Sequence, residues 1–124
     1  MKITDITVNR IRAPQGENAR PFVGRPGRLL LQVHTDEGIT GISEAGRNLT
    51  VLRAYLEELI KPLLIGADPT RPRKIWELLA LGEGQQATRF PSQIVGSVDV
   101  ALWDIAGKAA NLPIYQLLGG ARRT

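Results

Sequence analysis

Cysteine is absent from all 124 residues, which removes disulfides, thiolate nucleophiles and metal–sulfur sites together. Histidine occurs once, at His34. It sits near the end of an alternating strand, opposite Leu31 and Val33, and a single histidine with no orienting partner reads as structural. Aromatic residues are 5% of the chain and are scattered. Lysine is scarce as well, with 4 Lys against 12 Arg, and the only tight basic group is Arg71, Arg73, Lys74. The net charge of +4 is therefore spread thinly. Nucleic-acid binders concentrate basic charge and interleave it with aromatics, so no nucleic-acid partner is expected. No apolar run approaches membrane-spanning length and the opening residues carry no leader-like pattern. No membrane partner is expected, and the expected compartment is the cytoplasm.

What is present is enough apolar residue, 43%, for one domain with a real core. Residues 2–13, KITDITVNRIRA, alternate as a strand, with Ile3, Ile6, Val8 and Ile11 on one side and a bulge-like slip at Thr4-Asp5. Residues 14–28 hold three Pro and three Gly and read as a long loop. Their glycines, Gly16, Gly24 and Gly27, lack the spacing and the strand-to-helix junction of a phosphate cradle. Leu29 to Thr35 and Ile39 to Ala45 form a hairpin about Asp36-Glu37-Gly38. A short loop, Gly46-Arg47-Asn48, leads to a first helix capped by Asn48 or Thr50, with Leu52, Tyr55, Leu56, Leu59, Ile60 and Leu63 as its buried stripe. Pro62 should kink or end it. After a break at Gly66–Pro69, a second helix runs from about Arg71 to Leu81 and buries Ile75, Trp76, Leu78 and Leu79. The fold class is α+β: a small three-stranded antiparallel sheet followed by a helical bundle.

The longest helix signal begins at Ser92, its plausible cap, and closes at Asn111, with a last turn at Ile114 to Leu118. Ile94, Val98, Ala101, Leu102, Ile105 and Ala109 share one face. Gly96, Val100, Trp103 and Gly107 share the opposite one, with Ser97, Asp104 and Lys108 along one flank and Asp99 along the other. A helix apolar on two sides is normally buried between two layers. The first face serves this domain's core. The second requires a partner.

At GITGISEAG and SVDVALWDIAGKAANLPIYQLLGG the sequence resembles the N-terminal capping domain of the enolase superfamily, in the branch of mandelate racemase and muconate lactonizing enzyme. The resemblance covers essentially the whole chain. It implies a cap over a (β/α)-barrel that follows directly, with two loops closing over the barrel mouth to select the substrate. Those loops match Pro14–Arg28 and Gly46–Asn48. It also implies that the barrel holds Mg²⁺ on three carboxylates and supplies the Lys or His bases that remove a proton beside a substrate carboxylate. A barrel needs roughly 250 further residues, so residues 1–124 are read as the cap alone and the barrel as absent. The Gly96, Val100, Trp103, Gly107 face then becomes the docking face for that barrel or for another copy of the chain.

The acidic residues do not assemble a catalytic site in this reading. Asp99 and Asp104 lie on different flanks and cannot chelate one ion; Asp104 and Lys108, four apart, are placed to pair. No catalytic residue, bound cofactor or metal ligand is expected in the chain, and alone it should be inactive. The substrate-contact candidates are loop residues: Arg20, Phe22, Val23 and Arg25, with Arg28 beside them, and Arg47 and Asn48. Arginine forks suit carboxylates, and Phe22 can exclude water. The parent reaction implied is Mg-dependent proton abstraction from a small hydroxy acid, first of all acid-sugar dehydration, with racemization or cycloisomerization as alternatives. A third possibility is a non-catalytic fragment that assembles with itself. The family's enzymes are commonly oligomers of identical chains, and an oligomer is expected here.

Overall fold

The computed structural model describes residues 1–11, 28–46, 48–82 and 90–121. Three strands, β1 (Ile3–Ile11), β2 (Arg28–Thr35) and β3 (Thr40–Ala45), form one antiparallel sheet in the order β1-β2-β3. Alternation sends Ile6, Val8, Leu29, Leu31, Val33 and Ala45 to the buried face. The slip at Thr4-Asp5 is real. Ile3 pairs with Thr35 but Asp5 with His34, so β1 carries one extra residue. Ile11 departs from the expected grouping. It lies an odd number of residues from Val8, so it falls on the open face and is exposed. Gly38 closes the hairpin with φ +78°, a conformation that favours glycine.

The first helix is three consecutive pieces: α1 (Leu49–Tyr55), a π-helical turn (Leu56–Ile60) and α2 (Lys61–Leu64). Its buried residues are Leu52, Leu56, Ile60 and Leu64, spaced by four. Successive α-helical residues four apart drift by about 40°, because a turn holds 3.6 residues. A wide turn in the middle takes up that drift and keeps all four against the sheet. The same shift turns Leu59 and Leu63, expected in the stripe, outward to 42% and 46% exposure. Pro62 does not end the helix. The proline has no N–H for the ordinary ladder, and the chain passes it by widening, with Lys61 N–H bonding to Leu56 C=O. At the break that follows, Ile3 N–H donates to Ala67 C=O and Gly66 N–H to Ile3 C=O, which clips the loop to β1.

Helix α3 (Pro72–Leu81) opens on Pro72 and stops at Gly82, φ +72°. It buries Pro72, Ile75 and Leu79, while Leu78 is half-buried and Trp76, expected inside, is 42% exposed. The stripe is narrow, and Trp76 lies one residue round the helix from Ile75. Helix α4 (Ser92–Ala110) crosses the inner face of the sheet. Ile94, Val98, Ala101, Leu102 and Ile105 are buried as their spacing requires, and Ala109 is exposed beyond the sheet's reach. Ser92 is not the cap. Pro91 is, its carbonyl accepting from Ile94 and Val95 N–H, because its extended backbone already forms the entry. Asn111 turns left-handed at φ 53° and ends the helix as expected. A short α5 (Ile114–Leu117) follows.

Strand β3 and helix α4 approach closely at Gly41. A Cβ on Gly41 would stand 2.0 Å from the Ala101 carbonyl oxygen and 2.7 Å from Ile105 Cγ1. Gly96, on the far side of the same helix, faces nothing within 4 Å. Gly41→Ala should therefore cost about 1–3 kcal/mol through overpacking against backbone. Gly96→Ala should gain about 0.5–1 kcal/mol from helix propensity. Urea denaturation of the two variants reads both, and their signs should be opposite.

Asp5 ties the bulge to the first helix: its Oδ1 takes Ile6 N–H at 2.8 Å and Lys61 Nζ at 2.8 Å, and Lys61 also reaches Glu57. The hydrogen bond that Lys61 donates holds the Asp5 carboxyl below its usual range, and the same bond, accepted by Asp5, holds the Lys61 ammonium above its own. A depressed carboxylate stabilises the fold above its unfolded pKa of about 3.9, and that stability is lost as pH falls through the lower folded value. The raised lysine contributes below about 10.4 and is lost above it. Asp5→Asn should thus lower the melting temperature at pH 7, with the gap closing below about pH 4; thermal melts across pH test this.

Candidate functional site

Two loops leave the sheet at one end. The register pairs Ile11 with Arg28 and Leu29 with Ala45, so β1 ends, β2 begins and β3 ends side by side. The hairpin at Asp36–Gly38 is at the opposite end. The segment joining β1 to β2 and the short Gly46–Asn48 connection therefore start from neighbouring points, as a paired-loop site requires. Of the loop candidates, Arg20, Phe22, Val23, Arg25 and Arg47 lie outside the described residues. Arg28 is the first residue of β2 rather than a loop residue, and one guanidinium nitrogen sits 2.6 Å from both carboxylate oxygens of Glu44. Strand pairing across the sheet end brings the two together. Both are well exposed, so the pair contributes little to stability.

Asn48 is described, and its side-chain carbonyl is committed. It accepts from Val51 N–H at 3.1 Å and caps α1. Beneath it is a small cleft of about 130 Å³ bounded by Gly46, Asn48, Tyr55, Gln93 and Ser97. The Gln93 amide lies flat under Gly46, and Tyr55 is braced edge-on by Phe90 with ring centres 6.4 Å apart. The floor is a polar bridge between β3 and α4. Ser43 Oγ donates to Ser97 C=O at 2.6 Å, and Ser97 Oγ lies 2.8 Å from Gln93 C=O. Both hydroxyls are buried and bonded. Beyond a serine on each element, nothing in the sequence signals this bridge.

The second surface is the outer face of α4. Gly96 is exposed, Val100 is 52% exposed and Trp103 is half-buried. Gly107, expected with them, is not available. The left-handed turn at Asn111 folds the chain back, so that a Cβ on Gly107 would meet Leu112 C=O at 2.9 Å. The face is instead extended sideways by Ala106 and Ala110. These line an open groove of about 810 Å³ between α3 and α4, with Arg71 and Lys74 on its rim and Leu117 at its end. Burial pushes the Asp99 carboxyl, on the flank of this face, above its usual range.

Among the described residues no three His, Asp or Glu side chains stand close enough to hold a metal ion, so these residues do not fit a magnesium site. His34 lies between Thr7 Oγ1 at 3.1 Å and Thr40 Oγ1 at 3.2 Å, a polar ladder across all three strands. No helix among the described residues is long and apolar enough to cross a membrane.

Residues 5–119 match the family model for the mandelate racemase/muconate lactonizing enzyme N-terminal domain. The chain belongs to the mandelate racemase/muconate lactonizing enzyme family, and residues 5–119 are its N-terminal domain. It is 46% identical over 112 residues to the D-galactonate dehydratase family member RspA of Halomonas elongata, a match covering 86% of this chain and 28% of that protein. It is 43% identical over 110 residues to a D-mannonate dehydratase of Novosphingobium aromaticivorans, covering 85% and 27%. The chain thus spans 27–28% of the length of these curated relatives. In fold it is similar to an enolase of the mandelate racemase subgroup from Agrobacterium tumefaciens, with TM-score 0.73, 38% identity, and coverage of 99% of this chain and 31% of that one. An enolase from Agrobacterium radiobacter, solved with sodium and L-malate, is similar at TM-score 0.76 and 31% identity, covering 99% and 29%.

Asp99 supplies a test of the exposed face. A raised carboxyl pKa means that the folded state disfavours the charged form. That penalty is complete above the folded pKa and vanishes as pH falls through it to the ordinary value. Asp99→Asn should melt higher than the wild type at pH 7, and the advantage should disappear in acid.

Proposed function

We propose that this chain is the substrate-capping and specificity domain of a longer enzyme that abstracts a proton beside the carboxylate of a hydroxy acid, with acid-sugar dehydration as the reaction. The observation that carries this is the paired departure of two arginine-bearing loops from one end of a small sheet, in a chain whose relatives are named D-galactonate and D-mannonate dehydratases. The L-malate in the Agrobacterium radiobacter relative is itself a hydroxy acid, which supports the same substrate class.

In this reading the chain binds, orients and excludes water. Arg20, Arg25 and Arg47 offer planar donors to a carboxylate or to hydroxyl oxygens. Phe22 and Val23 shield the site, and Asn48 anchors the short loop by holding the first turn of α1. Magnesium, which supplies charge to the developing enolate, and the proton-accepting base fall to the barrel, because the described residues of the cap do not fit a metal. The barrel docks on the Gly96, Val100, Trp103 face. Self-association through the same face is the second reading, favoured by the exposure of Val100, since a large apolar patch seldom stays in water.

A chimera in which this chain replaces the cap of the Halomonas elongata relative should dehydrate an acid sugar, D-galactonate or D-mannonate, with Mg²⁺. In that chimera Arg47→Ala should raise KM by about tenfold, the loss of one charge-assisted contact of ~1.4 kcal/mol, with a smaller effect on kcat. The isolated 124-residue chain should show no turnover. Turnover by the isolated chain, or a folded but inactive chimera, counts against the reading.

A further inference from the structure

The motif LWDIAGK carries two charged residues that neither the core nor the proposed cap function uses. Asp104 and Lys108 read from sequence as an ordinary ion pair four residues apart, and they do pair, Nζ to Oδ2 at 2.6 Å. Their other contacts are on a different element. Ile42 N–H donates to Asp104 Oδ2 at 2.9 Å, and Thr40 C=O accepts from Lys108 Nζ at 2.7 Å. In an antiparallel strand the N–H and C=O of one residue point to the same side, and residues two apart share that side. Thr40 and Ile42, with Glu44, are therefore outward residues of β3, the edge strand, and α4 supplies the partners of the Ile42 N–H and the Thr40 C=O. The carboxylate stands where a neighbouring strand would place a carbonyl, and the ammonium where it would place an N–H. Ile42 itself is 45% exposed on the open face.

We infer that Asp104 and Lys108 are guard residues for β3, and that the surface they close is a strand-pairing surface for β3 of a second copy of this chain. A second copy is the occupant because the same short segment, run antiparallel about a two-fold axis, sets the outward N–H and C=O of Ile42 against the outward C=O and N–H of Thr40 in its equivalent. An unguarded edge presents those groups as a template. The pairing would also bring the exposed Ile42 side chains of the two copies together. This surface is separate from the outer face of α4, so the inference stands whether or not the capping role does.

Sedimentation velocity on the 124-residue chain tests it. Asp104→Ala combined with Lys108→Ala should tighten self-association at least tenfold relative to the wild type at equal loading. Asp104→Asn, which keeps an acceptor for Ile42 N–H, should stay at the wild-type value. Adding Ile42→Pro to the double variant should abolish the gain, since proline removes the outward N–H that loss of Asp104 uncovers and is tolerated on an edge. A double variant with native far-UV circular dichroism and unchanged sedimentation overturns the inference, as does association that survives Ile42→Pro. If the double variant does not fold, amide exchange in Asp104→Ala decides. Faster exchange at Ile42 with Leu31 unchanged supports a guarded edge, and unchanged exchange at Ile42 refutes it.

Discussion

The absence of a side chain at Gly41 sets the distance between the sheet and its principal helix. The Ala101 carbonyl occupies the place a Cβ would take, so α4 lies directly on the backbone of β3. Much else depends on that closeness. Ser43 and Ser97 can bond across the seam only because the two backbones are near. Asp104 and Lys108 can reach over the strand edge for the same reason. Leu102 and Ile105 sink to full burial beside Leu31 and Val33. Each such side chain contributes about 1.5–3 kcal/mol when removed from water, so a shift of α4 would weaken several at once.

A second constraint acts at the other end of the core. Four apolar residues spaced by four would spiral off the sheet in an unbroken α-helix. The wide turn at Leu56–Ile60 prevents this and carries the chain past Pro62. It also places Lys61 over the β1 bulge, where Asp5 receives it. The bulge and the wide turn are thus two irregularities that meet, each supplying a charged partner for the other.

These packing devices leave one end of the sheet free to carry loops and one face of α4 free to meet another surface. The family to which the chain belongs names residues 5–119 an N-terminal domain.

The sequence by itself determined the element order, the bulge at Thr4-Asp5, the inward set of β2, the Asn111 helix end and the family, while Ile11 in β1 and the choice between Asn48 and Thr50 as the first helix cap were left to the fold. The features it determined are local signals: alternation, helical period, capping chemistry and a long motif. Tertiary structure decided the rest. Leu59, Leu63 and Trp76 have helical spacing compatible with burial, but the phase of a helix against its sheet depends on a π turn and a narrow stripe that no window of sequence reveals. Gly107 has the spacing of an exposed face, yet the chain's own reversal after Asn111 covers it. Asp104 and Lys108 look complete as a helix pair, and only the approach of β3 shows whom they serve. In each case the residue's partner comes from elsewhere in the chain, and pairing over such distances is set by the closeness of backbones, which is a property of the folded molecule.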